Sequence, residues 1–86
     1  NEIEDYLSTH PDIHEAGIIG VPDKNRGEYI KAFVVTKDKN LIATDVISFC
    51  KKGLTEYKVP KQVVFIEELP KTNVGKILRR ELRKIN

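Results

Sequence analysis

An α/β fold, built as a small three-stranded sheet flanked by helices, is what this 86-residue chain predicts. Three observations carry the prediction. Two stretches rich in β-branched and aromatic residues, 13 to 21 (IHEAGIIGV) and 28 to 36 (EYIKAFVVT), are separated by the turn-forming run PDKNRG at 22 to 27. Apolar residues recur at helical spacing before and after that pair. Pro11 and Pro60 then stop each helical pattern.

Taken in order, Ile3, Tyr6 and Leu7 share one helical face, so a first helix ends near His10, ahead of Pro11. The two β-rich stretches should pair as adjacent antiparallel strands across the Pro22 to Gly27 turn. Lys37-Asp38-Lys39-Asn40 makes the next turn. Thr44 is then the expected cap of a second helix, whose Val46, Ile47, Phe49, Cys50, Leu54 and Tyr57 keep helical spacing up to Pro60. Gly53 weakens that helix by roughly 1 kcal/mol relative to alanine. Val63 to Ile66 reads as a third strand, and a last helix runs from about Leu78 to Ile85 with Leu78, Leu82 and Ile85 facing inward. The predicted core is Ile18, Ile30, Phe33, Val34, Phe49, Leu54, Val64, Phe65 and Leu82.

Size and composition bound the function. A chain of 86 residues makes one domain, buries only about 60% of its unfolded surface and leaves no room for a large enclosed pocket. Its 40% hydrophobic and 33% charged content reads as globular. The sequence contains no methionine and a helical pattern is under way by Ile3, which predicts a piece of a longer protein. Residues 71 to 86 hold six Lys or Arg against Glu81, while residues 1 to 70 hold nine against twelve acids. The basic end is therefore a patch suited to anions.

The candidate site lies in that basic end. Pro70 and Gly75 bracket a polar loop in which Thr72 and Asn73 favour turns, so Lys76 should project from the surface and reach a phosphate or carboxylate. A nucleotide P-loop would need glycine where Pro70 stands and Ser or Thr where Ile77 stands. The chain can thus offer one charge to a phosphate but cannot cradle it. Other constellations read as structure. Pro11 breaks any helix that would bring His10 and His14 to one metal, and Cys50 beside Phe49 on an apolar face reads as core. No aromatic side chains interleave with Arg79, Arg80, Arg83 and Lys84, so a solvated helix face is favoured there over a nucleic-acid-binding module, which stands as the reading from another class.

The loop, Leu69 to Leu82 (LPKTNVGKILRREL), resembles the last signature motif of the adenylate-forming enzymes, the superfamily of acyl-CoA synthetases, peptide-synthetase adenylation domains and luciferases. Asn1-Glu2-Ile3-Glu4-Asp5, Gly20-Val21-Pro22-Asp23, Gly27-Glu28, Ala32-Phe33-Val34-Val35, Tyr57-Lys58-Val59-Pro60 and Glu68-Leu69-Pro70 are similar to its C-terminal domain, in order and over essentially the whole chain. Phe49-Cys50, Leu54-Thr55 and Asn73 to Arg83 most resemble bacterial long-chain fatty acid CoA ligases. Val74 departs from the Ser or Thr of many members but is shared with that subgroup.

The resemblance implies an α+β lid domain with a mixed three-stranded sheet, spanning 1 to 86, whose partner is the N-terminal adenylation domain of the same enzyme. It implies a ligase using ATP, Mg²⁺ and CoA: a fatty acid carboxylate attacks ATP to give acyl-AMP, and CoA then takes the acyl group. Lids of ligases for short-chain or aromatic acids are the alternative. Lys76 would be catalytic, with Gly75, Thr72 and Asn73 touching substrate, while Glu2, Glu4, Gly27 and Glu28 would border the face used in the CoA step. The isolated domain should be inactive, bind no cofactor and hold no metal. The full enzyme should work in the cytoplasm without nucleic acid, with room for peripheral association with a membrane.

Overall fold

The computed structural model describes residues 2–25 and 27–85. Asn1, Arg26 and Asn86, which belong to the first motif, the first turn and the basic end, lie outside the described residues. The elements are α1 (Glu2–Leu7), β1 (Ile13–Asp23), β2 (Gly27–Thr36), α2 (Ala43–Gly53), a 3-10 turn (Glu56–Lys58), β3 (Gln62–Phe65) and α3 (Arg79–Leu82). β2 lies in the centre, antiparallel to β1 and parallel to β3, which is the mixed three-stranded sheet expected. A parallel neighbour cannot be reached by a tight turn, and α2 supplies the crossover. Among the described residues no helix is long and apolar enough to cross a membrane.

The sheet is covered on both faces, and this explains why its strands read as continuous apolar runs rather than alternating ones. Ala16, Ile18, Ala32 and Val34 face α1 and α2, packing with Ile3, Leu7, Val46 and Cys50. Ile19, Phe33 and Val35 face the other way, against Leu69 and Leu82 from the C-terminal segment. The predicted core is right for Ile18, Phe33, Val34 and Leu82, whereas Ile30, Phe49, Leu54, Val64 and Phe65 are only partly buried. Burial pushes the Cys50 thiol up to about 11, so it stays protonated and unreactive inside the fold.

Several boundaries differ from the sequence reading, and α1 already ends at Leu7 rather than near His10. Pro22, read as turn, lies inside β1 opposite Glu28. Ile18 and Gly20 turn their main-chain groups away from β2, and by the two-residue strand period the N–H that Pro22 lacks would point to that same open edge, where no ladder bond is lost. Helix α2 starts one residue before Thr44, with Ile42 as its N-cap, because the Asp45 carboxylate accepts the Ile42 N–H at 3.2 Å. Helix α2 also ends at Gly53, leaving Tyr57 exposed in the 3-10 turn rather than on the helix face, and α3 is only four residues long.

Gly53 reverses its expected sign. A β-carbon there would run into the ring of Tyr6. That ring cannot swing aside freely: it stacks on Phe49 with centroids 4.7 Å apart, and its O–H donates to the Phe49 carbonyl at 2.8 Å. Gly53→Ala, favourable on helix propensity alone, is expected to destabilise the domain by about 1–3 kcal/mol through overpacking. A urea midpoint that rises in the variant would refute this.

Candidate functional site

The segment after β3 descends to Leu69, which is buried on the second face of the sheet, and then turns outward. A single antiparallel bridge between Lys71 and Ile77 closes a miniature hairpin. Within it the Thr72 N–H donates to the Lys76 carbonyl at 2.8 Å and the Gly75 N–H to the Thr72 carbonyl at 3.0 Å. Gly75 has φ +85°, a conformation glycine adopts without strain. The Thr72 hydroxyl accepts the N–H groups of Val74 at 3.3 Å and Lys76 at 3.2 Å. A loop that reads as turn residues in the sequence is thus tied internally by its own threonine.

The base of the hairpin is fastened at both ends. The Lys71 ammonium pairs with the Glu15 carboxylate on β1, and the Leu78 N–H donates to the Pro70 carbonyl at 2.8 Å. The loop is therefore packed along its base, and only its tip, where Asn73, Val74, Gly75 and Lys76 are exposed, projects as expected. No ion pair or hydrogen bond engages the Lys76 ammonium among the described residues, so its charge faces outward. Thr72, expected at the substrate, is partly buried, with its oxygen taken up by the loop.

The second set of predicted residues is only partly brought together. Glu4 is on α1 with a side chain only 13% exposed. Its Oε2 accepts the Ile18 N–H at 2.8 Å, and both of its oxygens accept Arg79 Nη2 at 2.7 Å. Glu28 lies across Gly20, two positions further along β1, where any β-carbon would meet its carboxylate. Gly27, at φ +84°, makes the exposed turn before it. Glu2 stands apart in an exposed pair with Lys58 at 2.7 Å, and that hydrogen bond raises the lysine's pKa.

What sequence reasoning missed is Arg79. Read as part of a solvated basic face, it instead joins the two predicted sets: its Nε donates to the Ile18 carbonyl at 3.2 Å while its Nη2 holds Glu4. Arg83 Nη1 donates to the Gly20 carbonyl at 2.6 Å. Two guanidiniums of the basic end thereby cover the open edge of β1, a row of main-chain groups otherwise free to pair with another strand. No periodicity signals such a contact, because its acceptors are main-chain atoms some sixty residues away.

Lys76 is exposed at the tip of the hairpin. A groove of about 590 Å³, lined by Ile47, Lys51, Leu54, Glu56, Val59, Pro60 and Lys61, draws no residue from the hairpin. Among the described residues no group of three or more His, Cys, Asp or Glu could hold a metal. His10 instead accepts the Asp12 N–H on Nδ1 at 3.0 Å. Chemically, the arrangement can present one cation on a fastened stalk to an anion bound by another body.

Comparison with known proteins gives the family. The model of the AMP-binding enzyme C-terminal domain matches residues 2–76. A long-chain-fatty-acid–CoA ligase of Salmonella typhimurium is 58% identical over 83 residues, which is 96% of this chain and 15% of the ligase. A 2-succinylbenzoate–CoA ligase of Bacillus mycoides is 45% identical over 84 residues, 98% of this chain and 17% of that protein. Among solved structures, a fatty acyl CoA synthetase of Mycobacterium tuberculosis superposes with a TM-score of 0.89 at 36% identity, over 96% of this chain and 16% of that one. The chain thus spans about one sixth of the length of the proteins it matches.

Proposed function

The chain belongs to the family of AMP-binding enzyme C-terminal domains, and from that membership we propose that it is the lid of a long-chain fatty acid CoA ligase. In the proposed first step a fatty acid carboxylate attacks the α-phosphorus of ATP, forming a C–O–P link and releasing pyrophosphate. In the second the CoA thiol attacks the acyl carbon and AMP leaves. The observation that carries the reading is Lys76, an exposed cation on a fastened hairpin, with no acceptor of its own among the described residues.

The first step drives a carboxylate against a polyphosphate, so positive charge already in place lowers its barrier. A unit charge pair at about 4 Å and an effective dielectric of ~20 is worth ~4 kcal/mol before desolvation. Lys76 would supply that charge, and Gly75 would let the backbone turn towards the phosphates. Mg²⁺, held by the nucleotide and by the larger adenylation domain, would neutralise phosphate charge. Among the described residues no group of three or more His, Cys, Asp or Glu offers it a ligand set. Glu4 on α1 and Glu28 on β2, whose carboxylates both rest against β1, would border the face turned towards CoA in the second step, with Gly27 shaping its rim.

ATP and CoA are cytoplasmic substrates, so the proposed enzyme works in the cytoplasm, where peripheral contact with a membrane would deliver its acyl chain. A second reading, a ligase for an aromatic acid, is supported by the 45% identity to the 2-succinylbenzoate–CoA ligase. Acid-dependent ATP–pyrophosphate exchange by the full-length enzyme separates the two. Long saturated acids are expected to exceed benzoate and butyrate in kcat/KM by more than about a hundredfold. Preference for the aromatic acid would establish the second reading, and no exchange with any acid would sink both.

A further inference from the structure

We propose that Arg79 is a positioning residue for the Lys76 hairpin, fixing the direction in which that loop leaves the domain. The inference rests on the reading of Lys76 given above. The hairpin enters at Lys71 and leaves at Ile77, and both arms are referred to the same strand: Lys71 to Glu15, and the exit arm, through Arg79, to Ile18. Between Lys76 and Arg79 lie only Ile77 and Leu78, so a rotation of α3 moves the lysine's main chain directly.

Helix α3 has little means of setting its own direction. Four residues make barely one turn, and a helix this short has no stability in isolation. Leu82 buries it against the sheet, but apolar contact is non-directional and fixes depth better than rotation. At the end of α3 nearest Lys76 the directional constraint comes from Arg79, while Arg83 bonds the Gly20 carbonyl at the far end. One planar guanidinium meets a carboxylate through Nη2 and a main-chain carbonyl through Nε, and Glu4 closes the ring by accepting the Ile18 N–H. That ring ties α1, β1 and α3 at one point. A lysine ammonium has no fork that could satisfy both acceptors in the same geometry.

Displacement of a reacting group by about 1 Å can cost 10²-fold in rate. In the full-length enzyme, Arg79→Ala is therefore expected to lower kcat for acyl-AMP formation about 10- to 100-fold, with KM for ATP changed by less than about twofold. Arg79→Lys should fall between the variant and the parent. Arg80→Ala, an exposed neighbour of the same charge, should leave the rate unchanged. The decisive readout is the double variant: if Arg79 acts through Lys76, Arg79→Ala should cost nothing further in a Lys76→Ala background.

Full activity of Arg79→Ala, an equal loss in Arg80→Ala, or the same fold-loss in the Lys76→Ala background would each overturn the proposal while leaving the role of Lys76 intact. An unaffected Lys76→Ala enzyme would instead remove that role, and the positioning argument with it. Should Arg79→Ala fail to fold, Arg79→Lys and Glu4→Gln carry the same comparison, since each keeps the side chain's bulk and weakens the ring. Full adenylation by both would again overturn the proposal.

Discussion

Replacing Lys76 with alanine in the full-length enzyme is expected to slow acyl-AMP formation by about three orders of magnitude, the equivalent of ~4 kcal/mol. Thioester formation from supplied acyl-AMP should change by no more than a few-fold. The asymmetry follows from when the charge matters: a carboxylate is driven against a polyphosphate only in the first step. The fold should be untouched, because Lys76 is exposed and its ammonium bonds to nothing among the described residues. Pyrophosphate release in a single turnover measures the first step, and CoA thioester formation the second. Equal losses in both, or a loss in neither, would show that the proposed role is wrong.

The sequence disclosed the elements better than their ends, and the reasons are visible in particular residues. Strand composition and helical spacing identify the six regular elements, because burial on a covered sheet selects those residue types directly. Propensity points to Thr44 as the cap, but the Asp45 carboxylate holds the Ile42 N–H and moves the cap to Ile42. Proline in the sequence signals a turn, yet Pro22 continues β1, because the position of its missing N–H faces the open edge, which only the pairing register reveals. At the candidate site, the exposure of Lys76 was legible from the turn residues around it. The roles of Thr72 and Arg79 were not, since one bonds its own loop and the other a strand far away in sequence.

Leu82→Ala is expected to cost about 2–5 kcal/mol, the range for removing a fully buried leucine without complete collapse around the cavity. That is a large share of the roughly 4–13 kcal/mol that a domain of this size can have, and should lower Tm by more than about 10 °C. The position matters beyond its volume. Leu82 is the one fully buried side chain of α3, and it meets Leu69 and Phe33 on the sheet's second face. Gly17 leaves room for it there: a β-carbon on that glycine would lie 2.9 Å from Leu82 Cδ1. With that anchor gone, α3 should open before the sheet does, because β1 and β2 keep both their ladder and the Ile3, Leu7, Val46 and Cys50 layer on the opposite face. Amide exchange should therefore accelerate first at Ile66 and across 71–85, whose bonds include Ile66 to Val34 and Leu78 to Pro70. Amides paired between β1 and β2 should keep their protection below the global transition. Adenylation should fall with that local opening, since Lys76 leaves the sheet together with α3. Simultaneous loss of protection throughout the chain would show that the C-terminal segment is not a separable unit, and that Lys76 is positioned by the domain as a whole.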